Sequence, residues 1–364
     1  GCQRESCKGR RLKSKMRVRK EKTFVSCFDS RTGAYFRTGI LVDGKETEDD
    51  PFMASFPELL DIGIMGHCRH GQSGLCLQSG IQCYQNGLNR ADANMRVEDF
   101  RRIISECREN TYQVALGGCG DPDQHEAFEE ILKICRDAEI VPNFTTSGLG
   151  MTRETAAICK KYCGAVAVSW YRSPYTLKAI SLLLEAGVKT NIHYVLMKDS
   201  IKEAIDLLEG DKFPKRINAV VFLLHKPVGL GSDTQIIRKE NPDLKRFLEC
   251  IEKKHFPFKI GFDSCTVPAL LGSSSFASRF MDTCEGGRWS AYISSDLKMM
   301  PCSFDNQKQR WSVDLRNSTI QEAWFSKAFD DFRSHLKNAC PECKNRINCM
   351  GGCPICPEIV LCDA

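Results

Sequence analysis

At 364 residues with 42% hydrophobic content, the chain has material for one large core with an appendage. It shows no signal-type segment and no apolar run of membrane length, so its 21 cysteines read as free or metal-binding thiols, not as the disulfide framework of a small secreted domain. The net charge of +5 is unevenly placed: residues 1–22 hold ten Lys and Arg against Glu5 and Glu21, which gives this arm +8 and the remainder −3. A soluble cytoplasmic protein without membrane association is expected. The arm reads first as a solvated tail and second as a grip for an acidic peptide or a phosphate backbone. No aromatic-interleaved basic groove supports nucleic acid as a partner.

Residues 23–59 carry turn glycines between apolar pairs, in Phe28-Asp-Ser-Arg-Thr-Gly33-Ala-Tyr-Phe and Ile40-Leu-Val-Asp-Gly44-Lys, and predict a small N-terminal β-hairpin acting as a lid. From residue 60 onward β-rich runs alternate with amphipathic stretches, the rhythm of βα units. Strands are predicted at 60–65, 113–116, 141–145, 165–169, 190–195 and 219–224, with helices near 96–108, 125–137, 153–162, 174–186, 201–208 and 243–255. The run Ala-Val-Val-Phe-Leu-Leu224 is apolar throughout, as a strand covered on both faces should be. The fold class is therefore α/β, a partial (β/α)6 TIM-like barrel, whose loops at the strand C-termini build the active site. After residue 257 the period breaks down and Cys, Gly and Pro dominate, so a cysteine-rich C-terminal domain that depends on metal ligation as much as on core burial is expected. The predicted division is 1–59 for arm and lid, 60–257 for the barrel and 258–364 for the cysteine-rich domain.

The most specific stretch is Cys340-Pro-Glu-Cys343-Lys-Asn-Arg-Ile-Asn-Cys349-Met-Gly-Gly-Cys353, because four thiols spaced C-x2-C-x5-C-x3-C can converge on a soft metal. With Cys265, Cys284, Cys302, Cys356 and Cys362 beside it, there are too many thiols for one tetrahedral site and enough for two cubane clusters of four ligands each. A zinc ribbon with incidental cysteines, or a disulfide framework, is the competing reading. A second set, Cys68, Cys76 and Cys83 followed by Tyr84, lies on one glycine-rich loop after the first strand. Three thiolates leave one iron of a cluster with an open position, whereas the competing reading is a structural zinc loop. After the second strand comes Gly117-Gly118-Cys119-Gly120-Asp121-Pro122, where glycines let backbone approach a ligand closely.

In a barrel of this rhythm, the loop resembles the cluster-binding loop of the radical S-adenosylmethionine superfamily, C-x3-C-x2-C with an aromatic residue beside the last cysteine. Here the spacing is C-x7-C-x6-C, eight residues longer between first and last ligands. The Gly117-Gly118 turn resembles that superfamily's glycine motif, whose backbone and carboxylate receive the cofactor's amino group; Asp121 stands where glutamate is usual. The resemblance further implies cofactor contacts from Ser169 at the end of the fourth strand, from His193 on the fifth, and from the backbone around Leu224 and His225-Lys-Pro-Val-Gly229-Leu-Gly231, which would flank the adenine. A plain turn serine, a satisfied core histidine and ordinary loop glycines are the alternatives at these positions.

The C-terminal run resembles the SPASM extension of such enzymes. Cys284-Glu-Gly-Gly and the later Leu297-Lys-Met-Met-Pro-Cys302 are similar to that family's upstream element, with Leu297 in place of its usual glycine. The resemblance implies a first auxiliary cluster on Cys265, Cys284, Cys302 and Cys353, and a second on Cys340, Cys343 and Cys349 with Cys362 or Cys356. Three 4Fe–4S clusters and S-adenosylmethionine are then the expected cofactors, and exposed clusters fit an anaerobic host. The implied activity is reductive cleavage of S-adenosylmethionine to a 5′-deoxyadenosyl radical that abstracts hydrogen from a peptide or protein substrate, with a flavodoxin or ferredoxin as electron donor. A sulfatase-type formylglycine maturase is the nearest alternative, and a non-catalytic iron–sulfur electron carrier or binding scaffold is the alternative outside enzymes. The substrate peptide, the bond formed and the general base are not legible.

Overall fold

The structure, a computed structural model, describes residues 16–43, 45–46, 53–272, 281, 283–338, 340, 342–343, 349 and 352–362. Most of the basic arm, Gly44 of the second predicted turn and part of the Cys340–Cys353 run lie outside the described residues. The chain divides into two compact units, Gly1–Phe52 and Met53–Ala364.

In the first unit β1 (Met16–Lys20), β2 (Phe24–Asp29) and β3 (Tyr35–Gly39) form an antiparallel sheet in that order. The predicted hairpin is β2–β3. Its turn is tied by Asp29, whose Oδ1 accepts from the Arg31 N–H at 2.9 Å and Oδ2 from the Thr32 hydroxyl at 2.8 Å, and it closes through Gly33 at φ +74, a conformation glycine adopts without penalty. The hairpin is in fact a three-stranded sheet. Met16-Arg-Val-Arg-Lys20 has the composition of the basic arm, yet its exposure alternates with the period of a strand. Two short strands, β4 (Leu41–Val42) and β5 (Lys45–Glu46), pair separately across the second predicted turn.

The second unit is organised by a ten-stranded sheet among the described residues. Its strands are β6 (Leu59–Met65), β7 (Gln113–Gly118), β8 (Val141–Thr146), β9 (Val166–Ser169), β10 (Thr190–Leu196), β11 (Ala219–Leu224), β12 (Lys259–Phe262), β13 (Ser290–Ile293), β14 (Lys298–Met300) and β15 (Val313–Asp314). Their order is β12-β11-β10-β9-β8-β7-β6-β13-β14-β15. From β12 to β13 every pairing is parallel, whereas β14 and β15 are antiparallel additions. The ladder ends at β12 and β15, so the barrel is open.

Two short helices, α1 (Arg69–Gln72) and α2 (Leu75–Gln78), lie in the loop after β6; α3 (Val97–Cys107), α4 (Phe128–Asp137), α5 (Arg153–Tyr162), α6 (Pro174–Glu185), α7 (Ile201–Glu209) and α8 (Pro242–Lys253) make the outer layer. The six predicted strands and six predicted helices each recur within a few residues. Leu60, Ile62 and Ile64 of β6, Val166 and Val168 of β9, and Val220, Phe222 and Leu224 of β11 belong to the main core, and burial of each such side chain contributes about 1.5–3 kcal/mol. Alternation then turns Asp61, Gly117, Thr145, Ser169 and His193 toward the lumen. β12 adds a seventh strand beyond the six predicted, and β13 joins the cysteine-rich tail to the first barrel strand by pairing Tyr292 with Asp61.

Candidate active site

The loop after β6 gathers Cys68, Cys76 and Cys83 at the C-terminal end of the barrel. Cys68 caps α1, its Sγ accepting from the Gly71 N–H at 3.1 Å. Cys76 is buried within α2, and the Cys83 Sγ accepts from the Gly87 N–H at 3.5 Å. The Cys83 charge acts on both Cys68 and Cys76, and those of Asp121 and Cys119 act on Cys68. Burial pushes the Cys68 thiol up to about 12 and raises that of Cys76. Thiols so enclosed ionise when a cationic metal centre joins them, and three soft donors on one loop suit an iron–sulfur cluster. Among the described residues no three Cys, His, Asp or Glu side chains converge as tightly as on a single metal ion; the ligands of a four-iron cluster surround a larger body.

The additional length of this loop is folded, not slack. It forms α1 and α2 and is clasped by the segment after β9. The His70 ring lies 4.4 Å from that of Tyr171, and its Nε2 is 2.6 Å from the Tyr175 hydroxyl. Ser79 Oγ donates to the Tyr171 carbonyl at 3.0 Å, while the Arg172 guanidinium donates to the Ser79 carbonyl at 3.3 Å. Arg172 holds φ +60, a conformation costly for a non-glycine residue. It is kept there by a paired contact from its Nε to both Glu203 oxygens at 2.6 and 2.7 Å. Tyr171 feels Asp121 and all three loop thiols, and burial raises its hydroxyl well above its usual range.

The glycine motif meets this loop backbone to backbone. A Cβ added to Gly120 would stand 2.2 Å from the His67 carbonyl oxygen, and one added to Gly118, at φ +106, would stand 2.6 Å from that of Met65. At Gly117 a Cβ would meet nothing within 4 Å, so this position opens onto free space. The Cys119 N–H donates to the Met65 carbonyl at 3.0 Å. Asp121 is committed to the end of β8: its Oδ1 accepts from the Ser147 N–H at 2.6 Å and its Oδ2 from the Ser147 hydroxyl at 2.5 Å. Burial raises the Asp121 carboxyl against the pull of Ser147. Neighbouring Asp123 is pushed up to about 7 by burial first and by Asp121 second.

Inside the lumen the His193 Nδ1 lies 3.3 Å from the Thr145 hydroxyl, and burial pushes the imidazole down to about 4. Ser169 is the register partner of His193 on the adjacent strand. Leu224 is not brought to the lumen: its side chain is in the core and its N–H donates to Asp263 Oδ2 at 3.0 Å. Asp61 has no hydrogen-bond or ion-pair partner among the described residues, and its carboxyl is pushed up to about 7 by burial and then by Glu285. Tyr292 reaches across the same floor. A Cβ at Gly63 would stand 2.6 Å from its hydroxyl.

The Tyr84 ring lies 4.8 Å from that of Phe304 in the tail. The loop after β11 closes on the same place, through Leu230 N–H to the Cys83 carbonyl at 2.9 Å and Ser232 N–H to Gln82 Oε1 at 2.7 Å. Beyond it Cys284, Cys302, Cys353 and Phe304 pack around a small core of Trp311, Phe332, Leu336, Ile355 and Cys356. Cys265 packs against the main core, within electrostatic reach of Cys353 and Cys284. Cys356 is itself buried there and donates its N–H to the Cys353 sulfur at 3.4 Å. Cys340 and Cys343 are joined by a backbone bond of 3.3 Å. Cys349 and Cys362 are half-buried.

With this geometry in view, residues 284–350 match SPASM, the iron–sulfur cluster-binding domain. SuiB from Streptococcus suis, in its S-adenosylmethionine-bound crystal structure, is similar over 93% of this chain and 94% of its own, with a TM-score of 0.69 and 18% identity. The protein anSMEcpe with bound AdoMet is similar over 82% of this chain and 87% of its own, with a TM-score of 0.59 and 17% identity. Residues 284–350 thus form a SPASM domain, and the chain shares its fold with SuiB and anSMEcpe. No curated protein matches its sequence.

Leu297 holds φ +66 in the β13–β14 turn, the region where glycine is favoured. Sequence reasoning missed Tyr171, Arg172, Ser147, Asp61 and Tyr292. Each except Arg172 reaches the site from a strand or strand end, so strand order brings them together; the aromatic and basic residues directly after Ser169 were the available signal.

Proposed function

We propose that this protein is a radical S-adenosylmethionine enzyme that modifies a peptide, with one catalytic and two auxiliary 4Fe–4S clusters. The observation that carries this reading is one loop that holds Cys68, Cys76 and Cys83 within electrostatic reach of one another and lies backbone to backbone against Gly118 and Gly120 of a parallel barrel, in a chain whose tail matches SPASM. Cys68, Cys76 and Cys83 would hold the catalytic cluster. Gly117, Gly118 and Asp121 would line the cofactor's amino end, and Ser169 and His193 its ribose side; Tyr171 would close the pocket over the thiols. When bound, the cluster and S-adenosylmethionine supply a 5′-deoxyadenosyl radical able to abstract hydrogen from carbon. The chain contributes position: the clasp by Tyr171, Arg172 and Tyr175 fixes the loop.

Cys265, Cys284, Cys302 and Cys353 would hold the first auxiliary cluster. Cys340, Cys343 and Cys349 would hold the second with Cys362 or Cys356, of which Cys356 lies in the small core with its N–H donating to the Cys353 sulfur. In this reading residues 60–257 are the barrel and 258–364 the auxiliary domain. A peptide substrate is favoured because SuiB was crystallised with its precursor peptide SuiA, and anSMEcpe with the Cp18Cys peptide. A flavodoxin or ferredoxin would donate the electron. Anaerobic reconstitution should give about twelve irons per chain, four for each of three clusters, and reduction with S-adenosylmethionine present should yield 5′-deoxyadenosine. Zinc in place of iron, or no 5′-deoxyadenosine, overturns the reading. Product analysis on the peptide separates a cross-link from the formylglycine of a sulfatase-type maturase.

A further inference from the structure

The strand β11 delivers a lysine to a place where a cation is costly. Lys226 is 4% exposed, and its ammonium lies 4.6 Å from the centre of the Phe304 ring and pairs with Asp263 Oδ2. Asp263 is itself fixed, accepting from the Leu224 N–H at 3.0 Å and from the Thr266 hydroxyl at 2.8 Å. Both neighbours of the ammonium lead directly to thiols: Asp263 stands two residues before Cys265, and Phe304 two residues after Cys302. Val228 and Phe304 pack in the same small core as Cys284, Cys302 and Cys353. The lysine's charge is felt at Cys265, Cys302 and Cys353.

A buried ion pair is weak evidence for stability, because desolvation offsets most of its attraction. Its position beside one thiol set points to another role. We propose that Lys226 is the fixed positive charge that sets the reduction potential of the cluster held by Cys265, Cys284, Cys302 and Cys353, with Asp263 as the opposing charge that holds it in place. This rests on the auxiliary-cluster reading above. Reduction adds one negative charge to a cluster, so a nearby cation stabilises the reduced form and a nearby anion the oxidised form. In this low-dielectric surrounding the effect of either charge is large.

The test is potentiometric titration followed by electron paramagnetic resonance on the full-length chain carrying Cys68→Ala, Cys76→Ala and Cys83→Ala, so that only the tail clusters contribute. Lys226→Met should shift one of the two tail signals about tenfold toward the oxidised form at a fixed potential, which for one electron is about 59 mV. Asp263→Asn should shift the same signal the opposite way, and the other tail signal should stay in place. Lys226→Arg should stay near the parent. Equal signs for Lys226→Met and Asp263→Asn, or no shift in either, overturns the proposal, since a merely structural pair would move both together. If Lys226→Met loses its cluster, the direction of the Asp263→Asn shift decides. Parent chains that hold only about four irons would instead remove the auxiliary-cluster reading itself.

Discussion

Near Cys68, Cys76 and Cys83 stand the buried carboxyls of Asp121 and Asp123, whereas beside Cys265, Cys302 and Cys353 stands the buried Lys226 ammonium with Asp263 as its counter-ion, and the buried Arg288 donates to the Cys284 carbonyl at 3.1 Å. Asp121 and Asp123 stand at the barrel mouth and Asp61 on its floor, and burial raises all three. On the tail side Asp263 is matched by the Lys226 ammonium, and Glu285 acts on Cys284. Buried acids without cations destabilise a folded chain until a cationic group arrives. In the proposed reading, the sulfonium and ammonium of S-adenosylmethionine would bring positive charge to the Asp121 and Asp123 end of the barrel. In the same reading, the Lys226 ammonium would be the tail's own cation beside a resident cluster.

The largest break in this contrast comes from the loop thiols. Replacing Cys68, Cys76 and Cys83 together by alanine should abolish 5′-deoxyadenosine formation and lower the iron content from about twelve to about eight per chain, with the tail clusters' spectra retained. Loss of all iron would show that the two thiol sets depend on one another; persistence of cofactor cleavage would place the catalytic cluster in the tail.

Asp121 tests whether the acids serve the cofactor or only the fold. Charge-assisted hydrogen bonds of this kind contribute roughly 1.5–3 kcal/mol, so Asp121→Asn should weaken S-adenosylmethionine binding by about ten- to a hundredfold, read by calorimetric titration of the reconstituted protein. Ser147→Ala frees the same carboxylate without removing its charge. It should cost about 1 kcal/mol of stability while leaving cofactor affinity at or above the parent's. If both variants lose stability and neither changes affinity, Asp121 is a clasp between β7 and β8 and the ammonium is held elsewhere.

Much of this arrangement is readable in the sequence, for definable reasons. The strands β6 to β11 are covered on their outer faces by helices, so apolar runs and amphipathic stretches alternate and each element announces itself. Lys259-Ile-Gly-Phe262 is too short and mixed to do so. Ser290–Ile293 is recognisable only through its partner β6, more than two hundred residues earlier in the chain. The thiol sets are visible because ligand spacing is local. Asp121 is visible as part of a motif, but its bond to Ser147 is not, since that contact depends on β7 and β8 being neighbours. Lys226 appears in the sequence as one basic residue of a turn, and only packing against Phe304 and Asp263 sets it apart.

The smallest expected effect concerns Asp61 and the pH. Its carboxyl is pushed from 3.8 to about 7 by burial first and Glu285 second. Between these values the folded chain binds more protons than the unfolded one, so stability falls as the pH rises through the window, and the penalty is complete above it. A shift of this size corresponds to about 4 kcal/mol; because Asp61 is half-buried and borders the lumen, about 1–2 kcal/mol is expected after allowance for water there. Asp61→Asn removes the charge and keeps the shape. Urea unfolding of the apo protein should show the variant more stable than the parent by that margin near pH 8, with the gap closing toward pH 4. Saturating S-adenosylmethionine should leave the gap unchanged if Asp61 belongs to the substrate side of the lumen and narrow it if the cofactor's cationic end reaches the floor. Parent and variant unfolding alike at every pH would mean that Asp61 is solvated and the acidic barrel ends at Asp121 and Asp123.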